Sequence, residues 1–247
     1  MKLFTLSILL LGLLFVACSI NPKASNQNKG PFAKTIKKHG GDAYDNASIA
    51  FDFREGTYTF KNEEGKFRYT VQKEKDGQII FDVLTNDSFV RKVDGEVQDL
   101  SPKDALKYGN SLNSVIYFAQ LPYKLDDPAV KKTARGTTTI KGQPYRVVEV
   151  SFAEEGGGTD HDDIYYYWIN QKTDLIDYLA YNFHVNGSGV RFRSAYNPRR
   201  VGEIHFQDYV NYKADKDTPL SDLPALYEKG ELKELSKIEL EGVRVLP

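Results

Sequence analysis

Residues 48–83 read SIAFDFREGTYTFKNEEGKFRYTVQKEKDGQIIFDV, and their alternation decides the fold class. Ile49, Phe51 and Phe53, then Tyr58 and Phe60, then Phe67, Tyr69 and Val71, then Ile79, Phe81 and Val83 recur at every second position. That period belongs to strands with one apolar face. Glu64-Gly65 and Asp76-Gly77 punctuate the runs, and Asp94-Gly95 follows Phe89 and Val90 in the same way. Gly supplies the positive φ that tight hairpin turns require. The stretch predicts a meander of antiparallel strands.

Working outward, FAKTIKKH at 32–39 places Phe32 and Ile36 on one helical face, with Gly40-Gly41 as a stop. On the other side, Ser101-Pro102-Lys103-Asp104 is a helix start: Ser101 as N-cap, Pro102 at the first helical position, Asp104 near the positive end. This helix is expected to reach about Gln120, with a break near Gly109 because glycine is a poor helix former. Asp126 to Ala134 reads as a polar connection. Strands return at 137–140, 145–152, 164–170, 175–183, 190–196 and 201–210. A short helix is expected within 219–229, and one final strand over 235–245. The fold class is therefore mainly β with few helices (α+β), in a single domain over 31–247.

Composition agrees. The 247 residues carry 33 Lys+Arg against 34 Asp+Glu, so no basic field exists to neutralise phosphates, and nucleic-acid binding is excluded as a class. One cysteine rules out a disulfide framework and a Cys-rich zinc site. Sixteen Tyr and fourteen Phe suit half-buried sheet faces better than helical cores.

The N-terminus has a different character. Lys2 precedes an apolar run from Leu3 to Ala17, the charged and apolar regions of a secretory signal over 1–17. As a helix the run would reach roughly 22 Å, short of the ~30 Å hydrocarbon core. Val16-Ala17-Cys18-Ser19 resembles a bacterial lipoprotein cleavage box, with Phe15 where such boxes usually have Leu. Cys18 would then carry lipid, and several acyl chains give lasting attachment where one is marginal. Residues 18–30 read as a flexible tether after that cysteine. Surface-exported lipoproteins of several Gram-negative groups resemble one another in acidic residues just after the cysteine, and this tether has none before Asp42. The expected address is the cell envelope, lipid-anchored at the outer membrane and facing the periplasm.

The order helix, meander, long helix, second meander resembles the lipoprotein-carrier fold shared by LolA-like and LolB-like proteins. HGGDAYDNASIAF at 39–51, LPYKLDDPAV at 121–130, DHDDIYYYWIN at 160–170, LIDYLAYNF at 175–183, GVRFRSAYNPRR at 189–200 and FQDYVNY at 206–212 are similar to an uncharacterised family of anchored proteins with that fold. The resemblance implies an unclosed antiparallel β-barrel, a LolA-like half-barrel, with helices covering its mouth. It implies no reaction, because function carried over from fold alone is analogy.

Several constellations could carry chemistry. Arg191 and Arg193 share a strand face by the period of two, with Arg199 and Arg200 beyond Tyr196. They could hold an anionic head group, or pair structurally with Asp163, Asp177 or Asp208. Tyr165 and Tyr167 face one way, Tyr166 and Trp168 the other, and their amphipathic rings suit either a cavity or a core. The run 154–163, EEGGGTDHDD, could offer oxygens to calcium, though its spacing is not an EF-hand loop and its three glycines more simply make a solvated hairpin tip. His161 beside those carboxylates could act as acid or base in a hydrolase. His39, His161, His184 and His205 lack helical metal spacing, although a barrel could bring His184 and His205 together on zinc.

These readings converge on a non-enzymatic, lipid-anchored envelope protein without cofactor or metal. It binds a lipid or other hydrophobic ligand through Tyr165, Tyr167, Trp168, Arg191, Arg193 and Tyr196. The alternatives are an envelope scaffold recruiting a protein partner, and a hydrolase acting through His161.

Overall fold

The computed structural model describes residues 30–153, 163–184 and 188–247. The expected signal segment, Cys18 and His161 lie outside them.

Strands form two seven-stranded antiparallel sheets. The first comprises β1 (Ser48–Phe53), β2 (Gly56–Glu63), β3 (Lys66–Lys75), β4 (Gln78–Thr85), β5 (Phe89–Val93) and β6 (Glu96–Val97), in sequence order, with β14 (Glu241–Val245) added beside β1. The second comprises β7 (Val130–Ile140), β8 (Gln143–Phe152), β9 (Tyr165–Asn170), β10 (Ile176–Phe183), β11 (Gly189–Val201) and β12 (Ile204–Ala214), with β13 (Lys233–Ile238) beside β12. The two are not closed into a barrel.

The first meander follows its turn chemistry. Both residues of Glu64-Gly65, Asp76-Gly77 and Asp94-Gly95 have positive φ, and the flanking pairs Glu63 with Lys66, Lys75 with Gln78 and Val93 with Glu96 close two-residue hairpins. Register then puts Ile49, Phe60, Tyr69 and Leu84 on one face.

Helix α2 (Pro102–Ala119) lies on that face. Ser101 caps it, its Oγ accepting from the Asp104 amide at 3.2 Å. The expected break at Gly109 does not occur. Gly109, Leu112, Ile116 and Ala119 form a buried row, and packing of Gly109 against Phe89 and Leu84 outweighs its weak propensity. Near the N-terminal half of α2, Arg91 donates twice to buried Asp82, at 2.7 Å each, with its guanidinium 3.4 Å over the Tyr108 ring.

The second sheet is covered on both faces. Helix α1 (Ala33–His39) brings Phe32 and Ile36 onto Tyr167, Ile169, Ile176 and Leu179. On the opposite face a 3-10 turn (Leu220–Asp222) and α3 (Leu223–Glu228) set Leu220 and Leu223 against Trp168, Ala180 and Phe192. Tyr167 and Trp168 are therefore both core residues.

Three boundaries differ from expectation. β7 begins at Val130, within the expected polar connection, because exposed Lys131 and Arg135 still belong to a laddered edge strand with a bulge between Ala134 and Thr137. β11 continues to Val201, and the chain turns at Gly202 before β12. The expected strand over 235–245 is two strands in different sheets. The chain crosses between them at Glu239-Leu240, where the Leu240 amide donates to Asp208 Oδ1 at 3.0 Å and its carbonyl accepts from Arg199.

Candidate functional site

Helix α2 buries one face on the first sheet and turns Ser111, Ser114, Val115 and Phe118 toward the second. A cleft of about 490 Å³ lies there. Its floor comes from alternate residues of neighbouring strands, as the pleat requires. One cross-strand row is Tyr165, Tyr181 and Arg191, and the next sets Arg193 beside Asn211. Tyr209 and Gln207 continue the lining along β12, with Ile238 and Leu240 beside them. Phe53 and Arg54, at the turn between β1 and β2, complete the wall.

Arg193 is 7% exposed although it carries a guanidinium. That group lies 4.0 Å over the Phe118 ring and 5.3 Å from the Tyr181 ring centre, two rings that are themselves 5.8 Å apart and tilted by 36°. Nη2 donates to Tyr181 Oη at 2.9 Å, while buried Nε has no partner. Arg191 lies 4.7 Å over Phe183, and Nη1 donates to the Val190 carbonyl at 3.0 Å. A Cβ at Gly189 would meet Phe183 Cζ at 2.8 Å, so the glycine makes room for this stack. Neither arginine has a carboxylate partner among the described residues. The suggested pairing to Asp208 is corrected: Asp208 binds Arg199 at 3.0 Å and Asn197 at 2.7 Å. Asp177 instead accepts from Tyr145 at 2.9 Å and Asn170 at 2.8 Å.

Asp163, also on the cleft wall, has Oδ1 3.2 Å from His184 Nδ1. Gln207 donates to the Ile176 carbonyl at 2.7 Å and to Tyr209 Oη at 2.6 Å. Burial pushes the Tyr209 hydroxyl up to about 12, so it stays protonated at neutral pH.

The structure brings Tyr165, Arg191 and Arg193 together on the cleft. Tyr167 lies beneath α1 with its ring edge-on to Phe32 at 5.5 Å, and Trp168 packs on Phe192 across the opposite sheet face. Tyr196 Oη donates to Glu239 at 2.7 Å, away from the lining. His205 meets His39, not His184, with ring centres 4.9 Å apart. Among the described residues no three His, Cys, Asp or Glu side chains converge as metal ligands.

Sequence reasoning missed Phe53, Phe118, Tyr181 and the β12 row. The Gln207, Tyr209 and Asn211 alternation was visible, as was Phe118 off the buried row of α2. Nothing local showed that two sheets would present them to one gap.

The chain belongs to a family of unknown function, DUF6503, whose model matches residues 5–240. No curated protein matches it. It is similar in structure to a DUF1329 family protein from Desulfovibrio piger, with 10% identity, a TM-score of 0.44, and 87% of this chain and 91% of that chain covered. It is similar to a LolA superfamily protein from Nitrosomonas europaea, with 12% identity, a TM-score of 0.45, and coverage of 87% and 93%. An outer membrane lipoprotein-sorting protein domain from Vibrio parahaemolyticus is similar at 8% identity and a TM-score of 0.34, with coverage of 81% and 83%. Such distant likenesses carry no information about ligand or activity.

Proposed function

We propose that this DUF6503 chain is a non-enzymatic envelope protein, moored through lipidated Cys18 and facing the periplasm, that holds an amphiphilic ligand between α2 and its second sheet. One observation carries the reading. The cleft of about 490 Å³ lies within the range of small-molecule sites and is walled largely by Phe53, Val115, Phe118, Tyr165, Tyr181 and Ile238. Alkyl surface moved from water onto such walls gains about 25 cal/mol per Å². The polar groups deeper along β12, Gln207 and Tyr209, already bond each other, so they leave that stretch of wall effectively apolar. Among the described residues no helix is long and apolar enough to cross a membrane.

Recruitment of a protein strand at a sheet edge finds less support. The edges of the first sheet are the two-residue β6 and the five-residue β14 with Glu241 and Arg244; those of the second are β7, which carries Lys131, Lys132 and Arg135 with a bulge, and the six-residue β13 with Lys233, Glu234 and Lys237. Short, charged and bulged edges are devices against strand addition.

The test is extraction of the purified chain with organic solvent and mass spectrometry of the extract. A stoichiometric amphiphile is expected. Protein that carries none, and binds no alkyl-chain probe afterwards, contradicts the reading.

A further inference from the structure

Arg193 sits where an alkyl site would not need it. A buried cation costs several kcal/mol unless its charge is matched and its donors are bonded. Here the matching is incomplete. Phe118 and Tyr181 hold the guanidinium plane, yet Nε is buried without an acceptor and no described carboxylate reaches the group. Asn211, its cross-strand partner, donates Nδ2 to Ser236 Oγ at 3.4 Å and has a buried Oδ1 with no hydrogen bond. The unfilled guanidinium donor on the cleft wall marks a recognition point.

The charges along the cleft are uneven. Arg191 and Arg193 lie two residues apart on β11, roughly 7 Å by strand rise, with Asp163 as the nearby acid on the wall and His184 against it. From that level the lining runs along β12 through Tyr209 to Gln207, past Ile238 and Leu240. Asn211 to Gln207 alone spans about 13 Å. Arg191 and Arg193 make one stretch of the lining cationic and Tyr209, Ile238 and Leu240 make another apolar, while exposed Arg54 at the β1–β2 turn and Ser111 and Ser114 of α2 are polar elsewhere on the wall.

We propose that the cleft takes a single-chain amphiphile whose oxyanion head, carboxylate or phosphate, is held by the Arg193 guanidinium with Arg191 beside it, its tail lying along Tyr209, Ile238 and Leu240. The inference rests on the amphiphile reading above and adds the head-group chemistry to it. Guanidinium is suited to the task because its fork matches two oxygens at once, and the aromatic stack fixes the plane in advance. Arg191 is half-buried and screens less well from water, so Arg193 supplies most of the selectivity.

The experiment is calorimetric titration of the lipid-stripped full chain with decanoate, decyl phosphate, decanol and decyltrimethylammonium below their micelle concentrations, with acetate and inorganic phosphate as chainless anions. Decanoate and decyl phosphate are expected to bind at least ten-fold more tightly than decanol. The cationic probe and both chainless anions are expected to bind too weakly to measure. Arg193→Gln is expected to bring the decanoate and decanol affinities to within about three-fold of each other, and Arg193→Lys to retain part of the head preference. Equal affinity for decanoate, decyl phosphate and decanol in the unmodified chain overturns the head-group assignment and leaves the amphiphile reading standing. Chainless anions that bind as well as the alkyl anions make the site a plain anion site and overturn it too. No binding by any alkyl probe overturns both. Should Arg193→Gln fail to fold, the head series on the unmodified chain and on Arg193→Lys still decides.

Discussion

Asp208 and Arg199 clamp the point where the chain leaves one sheet for the other: Arg199 Nη2 lies 3.0 Å from Asp208 Oδ1, Arg199 donates to the Leu240 carbonyl, and Asp208 accepts from the Leu240 amide. The carboxylate is 4% exposed and the guanidinium 25%. Removing one partner would leave the other charge half-buried and strip the Leu240 amide of its acceptor. Asp208→Ala is expected to cost roughly 3–5 kcal/mol, the range for breaking a buried pair. Urea denaturation measures it. A loss below about 1 kcal/mol would show that the crossover is held by strand pairing alone.

Acid should loosen the protein from another direction. His39, the last residue of α1, and His205 of β12 lie edge to face, 2% and 7% exposed. Burial, then the neighbouring His205 and Arg200, push the His39 imidazole down to about 3. Burial also lowers His205, with Arg200 and Arg199 adding to it while Gln207 and Asp177 oppose. Both rings are thus neutral when folded, whereas the unfolded chain protonates them near pH 6.5. The unfolded state binds more protons below that value, so stability is complete above about pH 6.5 and is lost as pH falls from there toward about 3 for His39, by up to about 1.4 kcal/mol per pH unit, with His205 adding to the loss in the same direction. Urea midpoints at pH 7.5, 6.5 and 5.5 should fall in that order. His39→Gln keeps an acceptor for the Ile176 amide, which now donates to His39 Nε2 at 3.3 Å, and should flatten the dependence. A midpoint that stays level or rises at pH 5.5 contradicts the neutral pair.

The architecture was legible where local chemistry settles it. Alternation from Ile49 to Val83 and the Glu-Gly and Asp-Gly turns specify the first meander almost strand by strand, and Ser101-Pro102 marks the start of α2. Gly109 misled because propensity is weaker than burial of the Leu112 and Ile116 row. The split of residues 235–245 was hidden, since β13 and β14 each alternate and only the distant Asp208 and Arg199 distinguish them. Among site residues, period two correctly placed Arg191 and Arg193 on one face. It could not tell cavity from core for Tyr165 and Tyr167, which share a face but lie at different levels: one lines the cleft, the other lies under Phe32.

The proposed anchoring rests on one thiol, that of Cys18. Growth with an alkyne-tagged fatty acid should label the full chain, and Cys18→Ser should abolish both the label and membrane sedimentation. Label that persists in Cys18→Ser, or none in the unmodified chain, removes the anchor from the account.

The cleft itself is tested most directly by a diazirine-bearing alkyl carboxylate, photoactivated on the full chain and mapped by peptide mass spectrometry. Adducts should concentrate on residues 111–119 of α2 and on 207–211 and 238–240 of the facing sheet, and Val115→Trp, which fills the gap from the helix side, should reduce them at least ten-fold with secondary structure unchanged. Labelling scattered over the outer sheet faces, or undiminished in Val115→Trp, would contradict the claim that the ligand lies between α2 and the second sheet.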